Sequence, residues 1–202
     1  MENGAVLPLF YLPNIEYFKN LLTYKENLLI EDKEHYPKQT FRNRALISGP
    51  NGILALTVPV KKGSNNHTVY RDIKISNDDD WQRIHWLSLE TSYRSSSYFE
   101  FYEDVFRPFY HRKFDFLLDY NEQILNAILK ILKINVSYNF VNEYHKEYTD
   151  RNDLRNTLNL KKPTGYQNKP YYQVFEDRNQ YHNNLSVIDL IFSVGPQATK
   201  HF

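Results

Sequence analysis

Apolar residues fall in short unbroken runs near the start of the chain and at helical spacing further on. Ala5 to Phe10 is apolar throughout, as a strand buried on both faces is. Pro13 then suits the first turn of a helix, where its missing N–H costs nothing. Ile15, Phe18 and Leu22, with Leu21 and Tyr24 offset, carry the helical period. Leu28-Leu29-Ile30 predicts a second short strand that stops at Glu31-Asp32. Strand, helix and strand within about 30 residues is the size of a βαβ unit. The two strands are then parallel. Tyr11-Leu12-Pro13 and Glu31-Asp32 lie at their carboxyl ends, the edge where open α/β sheets bind ligands.

The pattern changes at Lys38. If Lys38 to Ile47 is extended, Lys38, Thr40, Arg42 and Arg44 share one face and Gln39, Phe41, Asn43 and Ala45 the other. Ser48-Gly49-Pro50-Asn51-Gly52 is a turn signal, and Leu54, Leu56, Val58 and Val60 line a returning strand, so this stretch predicts an antiparallel hairpin. Lys61 to His67 reads as a polar turn, and Val69, Ile73 and Ile75 mark another strand. Asn77-Asp78-Asp79-Asp80 places carboxylates at the positive end of a helix whose stripe is Trp81, Ile84, His85 and Leu89. Tyr98 to Tyr110 predicts a ring-rich helix, and Leu117 to Leu132 the most regular one. From Ser137 to Lys169 the polar composition predicts a long loop with little regular structure. Tyr171 to Phe175 predicts a short strand, and Leu185 to Phe192 a last helix opened by a capping box of Ser186 and Asp189 and closed by Gly195-Pro196.

Composition narrows the picture. The 202 residues carry a formal charge of +1, from 25 basic and 24 acidic side chains, which gives no support to nucleic-acid binding. There is no cysteine, hence no disulfide and no thiolate metal site. No run of about 18 apolar residues predicts a membrane span, and no leader of signal-peptide type opens the chain. A cytoplasmic location is the expectation. The chain holds 17 tyrosines and 13 phenylalanines, which suit a ring-built core or a stacking surface for carbohydrate or bases.

Arg42 and Arg44, with Lys38, repel one another on a bare strand and call for something acidic opposite: an anionic ligand, or a structural pair with Glu31 or Asp32. Asp32, at a strand's carboxyl end, suits a general base, or else a salt-bridged carboxylate. His85 is placed to shuttle protons, or to sit as a satisfied core residue. The remaining histidines are scattered, so no metal site is expected. No P-loop, G-x-G-x-x-G or nucleophile elbow calls for a cofactor.

These residues fall into a recognisable order: Pro8-x-x-Tyr11-Leu12-Pro13-x-x-x-Tyr17-Phe18, Glu31-Asp32, Lys38, Asn43-Arg44, and Leu54-x-Leu56-Thr57-Val58-Pro59-Val60. Trp81-x-x-x-His85, Tyr171-Tyr172-Gln173-x-Phe175 and Asn184-Leu185-Ser186-Val187-Ile188-Asp189-Leu190 complete it. The chain thereby resembles the WbqC-like family of bacterial proteins over nearly its full length. The resemblance implies a part in surface polysaccharide (O-antigen) synthesis, with acyl or aminoacyl transfer to a sugar. It supplies no catalytic residues. Glu16 stands where many members have glycine, and the 137–169 region is shorter than in longer members.

The expectation is one α/β domain over residues 1–202, sheet-rich to 76, helical over 80–134, and ending in a polar loop and C-terminal segment from 137. Its mixed sheet has about five strands: a parallel βαβ start plus an antiparallel hairpin. Asp32 and His85 are the catalytic candidates. Lys38, Arg42, Asn43, Arg44, Tyr11, Tyr17 and Gln173 are the anion- and substrate-binding ones. A pocket is expected where Tyr11, Asp32, Arg42, Arg44 and Gln173 converge on a small-molecule substrate, an activated sugar or acyl donor. The alternative is a non-catalytic ligand- or protein-binding module of envelope biogenesis, with an exposed patch on the helix Tyr98 to Tyr110.

Overall fold

The computed structural model of the protein describes residues 4–61, 67–162 and 164–202. The chain begins β1 (Ala5–Pro8), α1 (Ile15–Thr23), β2 (Leu28–Glu31). The two strands are parallel, with Ala5 opposite Leu28 and Pro8 opposite Glu31. The cap of α1 is Asn14, whose side-chain oxygen accepts the Tyr17 N–H at 3.2 Å, so Pro13 precedes the helix instead of entering it.

β3 (Arg44–Gly49) and β4 (Gly52–Thr57) form the antiparallel hairpin, Gly49 facing Gly52 across Pro50-Asn51. Gly52 takes φ +105°, which only glycine adopts without strain. Residues 38–43 are not strand. They bend and turn: the Asn43 N–H reaches the Thr40 carbonyl, and the Phe41 carbonyl accepts from Tyr11. The alternating polar face therefore does not exist. Residues 69–75 likewise form a 3-10 turn at Tyr70–Asp72 flanked by single bridges, not a strand. The reason is visible at the exit of β2, where the Asp32 and Glu34 carbonyls accept the N–H groups of Arg71 and Tyr70.

Next come α2 (Trp81–Tyr93), α3 (Phe99–His111) and α4 (Leu117–Leu132). On α2, Trp81, His85 and Leu89 are buried, while Ile84 turns outward and Trp86 takes an inward place. The polar stretch from 137 contains two short strands, β5 (Tyr138–Phe140) and β6 (Asn152–Asp153). Both join the parallel sheet, whose order is β5-β2-β1-β6, while β3 and β4 stay a separate sheet. The α/β class, parallel opening and hairpin thus hold, with the strands divided between two sheets. Runs of two or three residues carry no periodic signal, which is why the outer strands escaped the pattern.

The chain ends with α5 (Glu176–Asn179), α6 (Val187–Val194) and a 3-10 segment. Residues 171–175 are irregular, because Gln173 spends its amide groups locally instead of in a ladder. Ser186 caps α6, but Asp189 does not complete a box. Its carboxylate turns inward and accepts from Tyr93 (3.0 Å) and Tyr171 (3.1 Å), and burial pushes its pKa up to about 6.

The core is rich in aromatic rings. Phe192 on α6 meets Tyr93 and Phe99 at 5.1 Å between ring centres and Phe106 at 5.4 Å, joining α2, α3 and α6. Phe192→Ala should cost about 3–5 kcal/mol in urea denaturation. A loss under about 1 kcal/mol would mean that the ring does not bind these helices together.

Candidate functional site at the carboxyl edge

β1 lies between β2 and β6. The chain runs outward from β1 to β2 and β5, then returns to the other side of β1. Such reversals place ligands at the carboxyl edge of a parallel sheet. Here that edge holds a buried ionic network. Glu31, the last residue of β2, accepts the Lys33 and Glu34 N–H groups on Oε1 at 2.9 and 3.1 Å and Arg155 on Oε2 at 3.1 Å. Arg155, just past β6, also donates to Asp153 at 2.8 Å and to the His145 carbonyl at 2.8 Å. Arg42, only 2% exposed, donates through Nε to Glu34 at 2.7 Å and through Nη2 to the Arg155 carbonyl at 3.3 Å. Burial raises the Glu34 carboxyl pKa, and the Arg42 charge opposes that shift.

Beside this network lies a cavity of about 360 Å³, lined by Asp32, Arg71, Asp72, Phe116, Leu118, Asp119, Glu122 and Phe140. Asp32 follows directly on β2 and is 0% exposed. Its Oδ2 pairs with Arg71, whose side chain is 46% exposed at the cavity mouth. Its Oδ1 is buried without a hydrogen-bond partner. A carboxylate oxygen so placed has unused accepting capacity.

The other candidates lie apart from this cavity. Tyr11 and His85 meet in an aromatic layer: the Tyr11 hydroxyl lies 2.9 Å from His85 Nδ1 and 3.0 Å from the Tyr110 hydroxyl, with Tyr120 stacked on Tyr11 and Trp81 edge-on to His85. Burial lowers the His85 pKa to about 4. Tyr17 is buried, its hydroxyl without a partner. Lys38 is exposed. Asn43 joins the hairpin to its continuation, donating to the Val58 carbonyl at 2.9 Å. Arg44, half-buried at the head of β3, keeps a buried Nε without a partner. Gln173 bonds to Tyr171 and His182.

The expected convergence of Tyr11, Asp32, Arg42, Arg44 and Gln173 on one pocket is therefore not found around Asp32. Arg42 pairs with Glu34, not with Glu31 or Asp32, because the turn at 41–43 swings it inward. Arg71, the partner of Asp32, had no signal in the sequence. Arg155 stood in a polar loop whose folding onto β1 could not be read from composition. Glu16 accepts from Thr164 (2.6 Å) and Asn184 (2.9 Å). It stands in the wall of a separate amide-rich cavity of about 300 Å³.

The model of the WbqC-like protein family matches residues 10–165, and the chain belongs to that family. It is also similar to Rv1507c, an uncharacterized protein of Mycobacterium tuberculosis, at 27% identity over 98% of this chain and 96% of the relative. No solved structure gives a significant match. Among the described residues, no helix is long and apolar enough to cross a membrane.

Two measurements test the groups placed here. Arg42→Met should cost about 3–5 kcal/mol by stranding Glu34, and adding Glu34→Leu should restore most of it. A double variant as unstable as the single one would show that the pair is not the cause. The folded pKa of His85 lies below its ordinary 6.5, so neutral His85 favours the fold above pH 6.5. That contribution fades as pH falls toward 4, by on the order of 3 kcal/mol in all. In urea titrations across this range His85→Gln should lose less stability than the wild type. Parallel pH profiles would contradict the buried neutral ring.

Proposed function

We propose that the protein is an enzyme of bacterial cell-surface polysaccharide (O-antigen) biosynthesis that transfers an acyl or aminoacyl group to a sugar. The resemblance to the WbqC-like family supports the class of pathway. The observation that carries the enzymatic part is Asp32, in the wall of a cavity at the carboxyl edge of the parallel sheet, with its Oδ1 buried and unpartnered. A carboxylate held by one guanidinium, with one oxygen to spare, suits a general base. In this mechanism the attacking amine or hydroxyl forms a bond to the acyl carbon as its proton passes to Asp32. The bond to the leaving group breaks, and the leaving group departs with its electron pair. Arg71 holds Asp32 in position.

Arg44, apart from the Asp32 cavity, keeps an uncommitted Nε and is the anion-holding candidate of the basic set, with Lys38 on the surface in support. Arg42 and Asn43 position the loop between them. His85, neutral and buried, orients Tyr11. The second reading, a partner-binding module, draws on Phe101 (76% exposed) and Ile84 (59% exposed) on α3 and α2.

A thermal-shift screen of nucleotide sugars, aminoacyl donors and free amino acids separates the two, because a ligand of the native state raises the melting temperature. A shift from one such compound supports the enzyme, and a flat screen favours the partner module. Arg44→Ala should abolish that shift while moving the ligand-free melting temperature by less than about 4 °C. Asp32→Asn should slow transfer by roughly 10²–10⁴-fold. Full activity in Asp32→Asn would remove Asp32 from the chemistry.

A further inference from the structure

The wall of the Asp32 cavity is rich in carboxylates. Asp32, Asp72, Asp119 and Glu122 stand in its wall against a single guanidinium, Arg71. Lys74 and Lys33 also lie near the wall, Lys74 with its Nζ 5.7 Å from the ring centre of Phe116 and Lys33, next to Asp32, donating to the Val141 carbonyl at 2.7 Å. Glu122 accepts the Tyr138 hydroxyl at 3.0 Å, Asp32 Oδ2 is taken by Arg71, and Asp32 Oδ1 stays buried and unpaired. The remainder of the wall is Phe116, Leu118 and Phe140. An excess of carboxylate around an unsatisfied acceptor repels phosphate and carboxylate ligands and attracts a cation.

We propose that this cavity takes a primary ammonium group, donated to Asp32 Oδ1 and balanced by Asp72, Asp119 and Glu122. The proposal rests on the Asp32 cavity being the substrate site of the preceding subsection, and it names the chemical class of the end that enters there. Three features favour ammonium over other donors. Its three rotatable N–H groups suit carboxylates that are dispersed, where a guanidinium needs one planar fork. The described residues bring together no group of three or more His, Cys, Asp or Glu side chains placed to hold a metal ion. The Phe116 and Phe140 rings add a π surface that attracts a cation and does nothing for a neutral hydroxyl.

The test uses the full chain, isotope-labelled, with ethanolamine as the probe, and ethylene glycol and acetate as its neutral and anionic counterparts. Ethanolamine should produce saturable amide shifts at Asp32, Arg71, Asp72 and Asp119, and the other two should not. Asp72→Asn with Asp119→Asn, both at exposed positions, should weaken ethanolamine roughly tenfold while leaving the rest of the amide spectrum in place. Should the double variant not fold, either single substitution reads the same loss in smaller measure. Equal shifts with ethylene glycol, binding of acetate, or undiminished ethanolamine binding in the variants would each overturn the ammonium site. Ethanolamine binding without transfer from any acyl donor would overturn the enzyme and leave the ammonium site standing. Transfer to a sugar hydroxyl without ethanolamine binding would do the reverse.

Discussion

Two arginines cut off from water organise the carboxyl edge. Arg42 and Arg155 are both buried, and a buried guanidinium without a carboxylate is far less stable than one in solvent. Each has its acid: Glu34 for Arg42, and Glu31 with Asp153 for Arg155. The Arg155 carbonyl accepts from Arg42, so the two pairs are one unit. Its members come from the exit of β2, the turn before β3, and the exit of β6. None of these segments can move without exposing a charge to an apolar interior. Asp32 inherits its position from this arrangement, one residue after Glu31 and held from the other side by Arg71.

A second clasp holds the β1–α1 loop. The Ser186 hydroxyl donates to the Leu12 carbonyl at 2.8 Å, the Val187 N–H to that of Pro13 at 2.8 Å, and the Ile15 N–H to that of Leu185 at 3.0 Å. Leu12 sits at φ 42°, a conformation leucine adopts only under constraint. Segments that carry the family resemblance thus meet in space: the first with the last, Tyr11 with His85, and Asn43 with Val58. Much of that resemblance is architecture. Asp32 and Arg44 are among the residues that keep a buried polar atom without a partner.

The same contrast explains how much was legible. The βαβ opening, the hairpin turn and α4 follow from local periodicity, which the core reinforces. Asp32 was legible as a site candidate because a strand's end is a position that sequence can mark. The basic face of residues 38–44 was not, because alternation holds only while the backbone is extended, and here it turns at 41–43. β5 and β6 were hidden because two or three residues hold no period. Their membership of the sheet depends on β1 and β2 offering free edges.

By itself the sequence determined the class of fold, its parallel start, the ring-rich core and the acid that closes β2, since each rests on spacing or composition within one short stretch. Only the tertiary structure decided which cation meets which acid. Glu34 and Arg42 are eight residues apart, but Glu31 and Arg155 are separated by 124. Charge acts through space and without regard to chain order, so the pairing, and with it the oxygen left free on Asp32, exists only once the chain has folded.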